Sequence, residues 1–181
     1  MRRREAYGAL GLIVVVTALV VWSRLGPSPG PPPVLPPTPL PIDTRELPYE
    51  LTGAVVKVID GDTIDVELNG RTVRVHYIGV TTPETTQPTN GQEPCGPEAA
   101  EANRTLVEGQ TVRLELDVQQ QDRDQRLLAY VYVGEVMVNA ELVRQGYAQV
   151  ATYPPNVRYV DHLQQLQQEA RTAGSGCWKA P

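Results

Sequence analysis

Three short stretches of this chain hold side chains whose types and spacing suit metal-assisted chemistry on a phosphate. A pair of carboxylates beside a glycine suits a hard divalent cation, because such cations prefer oxygen ligands. A Glu directly after a Pro in a loop suits a fixed general base, and an Arg at the start of a strand suits a phosphate oxygen. In chain order the stretches are Asp60-Gly61-Asp62-Thr63, Thr82-Pro83-Glu84-Thr85, and Arg126 ahead of the apolar run 127–132.

Each stretch also has a purely structural interpretation. Asp-Gly pairs are common in β-turns. Glu84 can be a solvated loop carboxylate, and Arg126 can be an ordinary residue at a strand end. The order and spacing of all three favour one shared site over three unrelated features.

Together these motifs resemble those of the staphylococcal nuclease (thermonuclease) family, over about residues 53–178. The resemblance implies that Asp62 is a direct ligand of a calcium ion (Ca2+) and that Asp60 lies close by. It also implies that Thr82 supplies a backbone carbonyl to the ion, a role that does not depend on its side chain. Oxygen donors of this kind are what calcium requires.

The resemblance also assigns the residues that act on the phosphate. Glu84 would orient or deprotonate the attacking water. Arg126 would grip phosphate oxygens with its planar, permanently charged fork and stabilise the transition state. The preceding stretch Asp122-Arg123-Asp124-Gln125 departs from the family's common aromatic-Gly pair.

Two positions depart from the family pattern in the site itself. Thr81 stands where the family has a second calcium-binding Asp, and fewer ligand charges imply weaker calcium binding. His76 stands where the family has its first phosphate-binding Arg, and His lacks a bidentate fork. His76 can instead pack against the barrel rim. Arg74 points to the same strand face and is the alternative phosphate ligand, although two residues along a strand is about 6–7 Å.

Periodicity predicts a five-stranded sheet with helices in its connections. Asn69-Gly70 is typical of a type I′ hairpin. The predicted strands cover 55–59, 64–68, 72–80, 112–116 and 127–133. This pattern fits an α+β fold built on a small Greek-key barrel of the OB type, and the resemblance implies that fold.

Three helices are predicted from apolar residues at helical spacing and from residues that typically begin or end a helix. The first begins near Pro97 and ends by Gly109, the second is capped by Asn139 and ends at Gly146, and the third runs over about 159–170 and stops at Gly174.

The N-terminal part has a different composition from the rest. Residues 1–25 hold Arg2-Arg3-Arg4 and then an apolar run, which predicts an uncleaved signal anchor or, alternatively, a cleaved signal peptide. Residues 26–46 form a Pro-rich linker, and 47–181 form the barrel domain. The basic N-terminus is expected to stay cytoplasmic. We therefore expect a membrane-anchored protein whose domain is extracytoplasmic, or a secreted one after cleavage.

The net charge of the domain bears on how tightly it can bind polyanions. From residue 42 onward there are 20 acidic and 12 basic residues, a net charge of −8, which argues against tight non-specific binding of polyanions.

Because the family's C-terminal tail folds back onto the barrel, the resemblance makes a Cys95–Cys177 disulfide reasonable, and an extracytoplasmic location permits it. The alternative is two buried thiols that never meet.

The leading hypothesis is a monomeric calcium-dependent nuclease that acts on single-stranded or frayed DNA and RNA. The resemblance implies cleavage of the bond to the 5′ oxygen, leaving 3′-phosphate products. One rival is a catalytically impaired barrel that binds nucleic acid or protein, and another is a structural domain of the cell envelope. Among the tyrosines, Tyr153 is a candidate for stacking on bases, as are Tyr147 and Tyr159, although packing is an equal alternative.

Overall fold

The computed structural model describes residues 49–85 and 93–179, which form a closed barrel with three helices. Among those residues, no helix is long and apolar enough to cross a membrane. The predicted membrane segment at 1–25 and the whole Pro-rich linker at 26–46 lie outside the described residues.

Five strands build the barrel, and they are β1 (Glu50–Val58), β2 (Thr63–Leu68), β3 (Arg71–Tyr77), β5 (Thr111–Glu115) and β6 (Leu127–Val133). Their order is β3-β2-β1-β5-β6, and a parallel pairing of β3 with β6 closes the barrel. The five-stranded barrel is therefore the predicted one.

Short strands and three helices complete the domain. Strand β4 (Val80–Thr81) pairs with β8 (Gln149–Val150), and β7 (Val136–Met137) extends the sheet beside β6. The helices are α1 (Gly96–Val107), α2 (Val138–Arg144) and α3 (Val160–Ala173), and a 3₁₀ turn (Gly176–Trp178) follows.

Local signals explain most of the element ends. Asn69 and Gly70 have φ values of 51° and 75°, as a type I′ hairpin between β2 and β3 requires. Pro97 occupies the first turn of α1, where its missing N–H would have no helical partner anyway. Gly174 ends α3 in the left-handed region, with its N–H donated to the last turn.

Three details differ from the sequence prediction. Strand β1 begins five residues early, because its first half pairs with β5 and its second half with β2, with a bulge between Val55 and Lys57. The predicted strand 72–80 is divided in two, since Gly79 turns the chain at φ 80°. Asn139 does not cap α2, because it lies inside the helix, fully buried.

Apolar side chains fill the barrel in the absence of any Phe. Tyr77 and Tyr130 are the largest fully buried side chains, and they supply the aromatic volume that the composition otherwise lacks. Asn139 is buried near them and is satisfied by Val131 N–H and the Ile78 carbonyl, both at 2.9 Å. A buried amide must be paired in this way, so Asn139 ties α2 to β6 and to the turn that follows β3.

Candidate active site

The turn between β1 and β2 carries Asp62, the predicted calcium ligand, and Asp60, which is predicted to lie close to the ion. We call residues 60–62 the carboxylate turn. Asp62 is only 6% exposed. Its Oδ2 accepts the Thr82 N–H at 3.0 Å, and its Oδ1 accepts the Thr63 hydroxyl at 3.0 Å. A Cβ on Gly61 would lie 2.6 Å from Thr82 Oγ1, so only glycine lets the turn approach Thr82 this closely. The predicted residues Asp62 and Thr82 are thus in direct contact.

Helix α1 supports the same turn from inside the protein. Asn103 is fully buried and donates its amide to the Asp60 carbonyl at 2.8 Å. Its own oxygen accepts the Tyr77 hydroxyl at 2.9 Å. Asn103 was not identified from the sequence. The feature that could have indicated it is a polar residue one helical turn after Ala99, on the apolar face of the helix.

The two carboxylates of the turn have opposite pKa shifts. Burial, and then the neighbouring charge of Asp62, raises the pKa of Asp60 to about 6. Burial also acts to raise the pKa of Asp62, but hydrogen bonding and charge from His76, with smaller contributions from Asp60 and Thr63, hold it below its ordinary value. The turn therefore keeps one strongly ionised carboxylate beside a second whose ionisation is opposed, which is where a cation is most stabilising.

The oxygen donors at this turn are of the type that calcium binds, but they carry little negative charge. Asp62, Asp60 and the carbonyl of Thr82 are all oxygen donors of the kind that calcium takes. Within 49–85 and 93–179, no group of three or more His, Cys, Asp or Glu gathers for a metal. Thr81 is exposed on β4, where it pairs with Gln149. The set thus offers two carboxylates, fewer than a tight calcium site uses.

Strand register separates the two candidate phosphate ligands on β3. His76 lies opposite Thr63, and its Nδ1 is 3.1 Å from Thr63 Oγ1 and 3.3 Å from Asp62 Oδ1. Arg74 lies opposite Asp65 and makes a bidentate pair with it, at 2.9 and 3.1 Å. That pair raises the pKa of Arg74 and occupies one edge of its fork.

A groove opens beside His76, and we call it the cationic groove. Its volume is about 490 Å³, and Tyr153 on its wall is 73% exposed. The parallel pairing of His76 with Leu128 brings Arg126, two residues earlier, to the same opening. Arg123 also lines the groove and was not singled out from the sequence, although it lies in the charged stretch before Arg126. The described lining does not include Arg74.

Glu84 follows Thr82 by two residues and is exposed. Its N–H donates to Glu93 Oε2 and its carbonyl accepts the Glu93 N–H, both at 3.1 Å. A Cβ on Gly96 would lie 2.4 Å from the Glu84 carbonyl oxygen, so the start of α1 forms the wall behind this loop. The backbone of Glu84 is thereby fixed while its carboxylate faces solvent.

Cys95 and Cys177 form a disulfide with their Cα atoms 5.9 Å apart, the pair expected from the sequence. Cys95 directly precedes α1. Cys177 lies in the final 3₁₀ turn and donates its N–H to the Gly146 carbonyl at 3.0 Å. The bond therefore joins the end of the chain to the helix start that backs Glu84.

The other two tyrosine candidates lie away from the described lining of the groove. Tyr159 packs edge-on against Tyr130, with ring centroids 4.6 Å apart, and its hydroxyl donates to Glu115 at 2.9 Å. Tyr147 is half-buried near α1. Of the three tyrosines, the structure brings Tyr153 to the groove with His76 and Arg126.

Known proteins share this sequence pattern. Residues 74–180 match the family model described as staphylococcal nuclease homologue. The chain is 37% identical over 177 residues to a thermonuclease of Staphylococcus hyicus, covering 93% of this chain and 95% of the relative. It is 40% identical over 125 residues to a thermonuclease of Staphylococcus intermedius, covering 69% and 74%. It is 40% identical over 124 residues to the endonuclease YncB of Bacillus subtilis, covering 67% and 59%. The chain belongs to the staphylococcal nuclease family.

Proposed function

We propose that this protein is a calcium-dependent nuclease that hydrolyses phosphodiester bonds of DNA and RNA. Three similar proteins are named thermonuclease or endonuclease. One structural observation carries the proposal: the buried carboxylate of Asp62 lies 3.3 Å from His76, and His76 itself lines the cationic groove. The carboxylates that would bind the cation thus lie directly beside the groove that we propose binds the phosphate.

The residues divide the reaction between them. Asp62, Asp60 and the Thr82 carbonyl would hold calcium, and the bound ion would neutralise charge on the phosphate. Glu84 takes a proton from the attacking water as the water oxygen bonds to phosphorus. The bond from phosphorus to the 5′ oxygen breaks, that oxygen is protonated from solvent, and the phosphate stays on the 3′ side. Arg126 stabilises the extra negative charge of the transition state.

The shape and charge of the domain favour a single strand as substrate. The cationic groove, at about 490 Å³, suits one nucleotide rather than a duplex, and the exposed ring of Tyr153 offers a stacking surface beside it. The excess of acidic residues weakens the long-range attraction of a polyanion. We therefore propose a monomer that cuts single-stranded or frayed DNA and RNA and releases its products readily.

The disulfide supports a place of action outside a reducing cytosol. Disulfides persist in secreted and periplasmic proteins, whereas cytosolic thiols stay reduced. The Cys95–Cys177 bond links the two ends of the helical part of the domain. We propose that the domain works in an extracytoplasmic space.

The experiment that tests the function is cleavage of an end-labelled single-stranded oligodeoxynucleotide by the full-length protein. Cleavage is expected with millimolar calcium and is expected to stop with a chelator. Treatment with a 3′-phosphatase should then change the mobility of the products. Binding without cleavage at any calcium concentration would contradict the proposal.

A second candidate, a binding module with an impaired site, is favoured by two of the residues. His76 replaces a bidentate cation, and Thr81 replaces a carboxylate where the family uses both. This reading predicts that the same oligonucleotide is bound and released intact. The cleavage assay, with binding followed by fluorescence anisotropy, separates the two functions.

A further inference from the structure

The loop that leads into β6 is organised around the carboxylate of Asp122. Its Oδ1 accepts the Asp124 N–H at 2.9 Å and the Arg126 N–H at 3.0 Å. Its Oδ2 accepts Arg126 Nε at 2.6 Å. The Asp122 N–H donates in turn to the Arg126 carbonyl at 3.1 Å, so backbone and side chain of Arg126 are both fixed by one residue.

The edge of the guanidinium that Asp122 binds decides what the other edge can do. Arg126 has donors at Nε and at two terminal nitrogens. The described contact uses Nε, and the Arg126 side chain remains 31% exposed against 18% for Asp122. The terminal nitrogens are therefore left for a ligand in the cationic groove, which both residues line.

We infer that Asp122 is a positioning residue for the nuclease reaction, holding Arg126 so that its terminal nitrogens face the reacting phosphate. The inference rests on the proposed function, in which Arg126 stabilises the transition state. This positioning role explains why a carboxylate lines a groove that receives a polyanion. Asp122 repels the phosphate, but it also restricts the conformations of the long Arg126 side chain. Positioning of this kind is worth a large rate factor, because a displacement of about 1 Å at a catalytic group can lower the rate by about 10²-fold.

The substitution Asp122→Asn breaks the contact with the Arg126 side chain selectively. An amide oxygen can still accept the N–H groups of Asp124 and Arg126, whereas the amide nitrogen would face the Nε donor of Arg126. Asp124→Asn is the matched control, because Asp124 is exposed in the same loop and loses the same charge.

Steady-state kinetics on single-stranded DNA, with the full chain and saturating calcium, test the inference. We expect Asp122→Asn to lower kcat roughly 10-fold without raising KM, since orientation is lost and a repelling charge is removed. Asp124→Asn should leave kcat unchanged. Equal kcat values for the two variants would overturn the inference.

A double-mutant cycle separates positioning from a purely structural role. In an Arg126→Ala background, Asp122→Asn should lower kcat no further, because the residue that it orients is gone. If Asp122→Asn lowers kcat by the same factor in both backgrounds, the inference is wrong. Melting temperatures of all four proteins show whether any loss reflects unfolding.

An NMR measurement tests the anchoring independently of activity. In ¹⁵N spectra of the full chain, the Nε–H signal of Arg126 should shift in Asp122→Asn and stay in place in Asp124→Asn. An unshifted signal in Asp122→Asn overturns the inference. If the wild-type protein cleaves nothing, the proposed function fails, and this spectrum still decides whether Asp122 holds Arg126.

Discussion

The carboxylate turn and the cationic groove adjoin each other but are built in opposite ways. Asp62 is 6% exposed and is bound by residues from β2 and from the loop after β4. Arg126 is 31% exposed, and its side chain is held by Asp122 from its own loop. The carboxylate turn is therefore part of the barrel's buried structure, whereas the cationic groove is a surface. Changes in the first should alter stability and calcium binding together, and changes in the second should alter catalysis alone.

Glu84→Gln gives the largest expected effect. The carboxylate is exposed and only its backbone is fixed, so the substitution should leave the melting temperature unchanged. Loss of the base should lower kcat on the order of 10²-fold or more. Single-turnover cleavage and thermal unfolding are the measurements. Retention of the wild-type rate would exclude Glu84 as the base.

Arg126→Ala should lower kcat on the order of 10²-fold, because the charge that stabilises the transition state is lost. The fold should be preserved, since the side chain is partly exposed. Arg123→Ala, in the same groove, is the comparison and should act mainly on KM. A large drop in melting temperature for Arg126→Ala would break the contrast between the two halves.

His76→Arg should raise kcat/KM by about 10-fold, because it adds a bidentate, permanently charged phosphate ligand worth roughly 1–3 kcal/mol. Arg74→Ala decides between the two residues of β3. Since Arg74 is paired with Asp65, we expect its loss to reduce activity little. A large loss in Arg74→Ala, with no gain in His76→Arg, would assign the phosphate to Arg74 instead.

Thr81→Asp should lower the calcium concentration required for half-maximal activity, by about 10-fold, because it adds a third carboxylate near the turn. Thr81 is exposed on β4, so the barrel can accept the charge. Calcium titration of the cleavage rate measures the effect. Gln149→Glu, on the opposing strand, is a control for added charge alone. An unchanged calcium requirement would place Thr81 outside the metal site.

Asp60→Asn has the smallest expected effect and tests the buried half by stability. The pKa of Asp60 is raised to about 6 by burial and by Asp62, so the unfolded chain releases this proton first. The calcium-free fold should therefore lose stability as pH rises from about 4 to about 6. Asp60→Asn should remove that loss and raise the melting temperature at pH 7 in chelator. It should also weaken stabilisation by calcium, whereas Asp124→Asn should do neither.

Local chemistry explains the parts of the fold that were predicted correctly. The Asn69-Gly70 turn, the Pro at the start of α1 and the Gly after α3 depend on the φ preferences of single residues. The wrong or missed features depend on distant partners. Asn139 was expected to cap a helix, but its partners are Val131 on β6 and Ile78, which lies 61 residues earlier in the chain.

The candidate site divides along the same line. Its donor types, its order along the chain and the two departures at Thr81 and His76 are written in the sequence. The ion pair of Arg74 is not, because it arises from the register that places Asp65 opposite it. The hydrogen bond by which Asn103 supports the carboxylate turn likewise does not follow from the sequence. It requires α1 to pack beneath Asp60, which lies 43 residues earlier.

The sequence by itself determined which atoms are available for chemistry, because residue type fixes charge, donor geometry and backbone freedom. Only the tertiary structure decided which of those atoms are already engaged. Cross-strand register pairs Arg74 with Asp65 and leaves His76 between Asp62 and the groove. Such pairings follow from strand order and barrel closure, which are set by the packing of the whole core and not by neighbours in the chain.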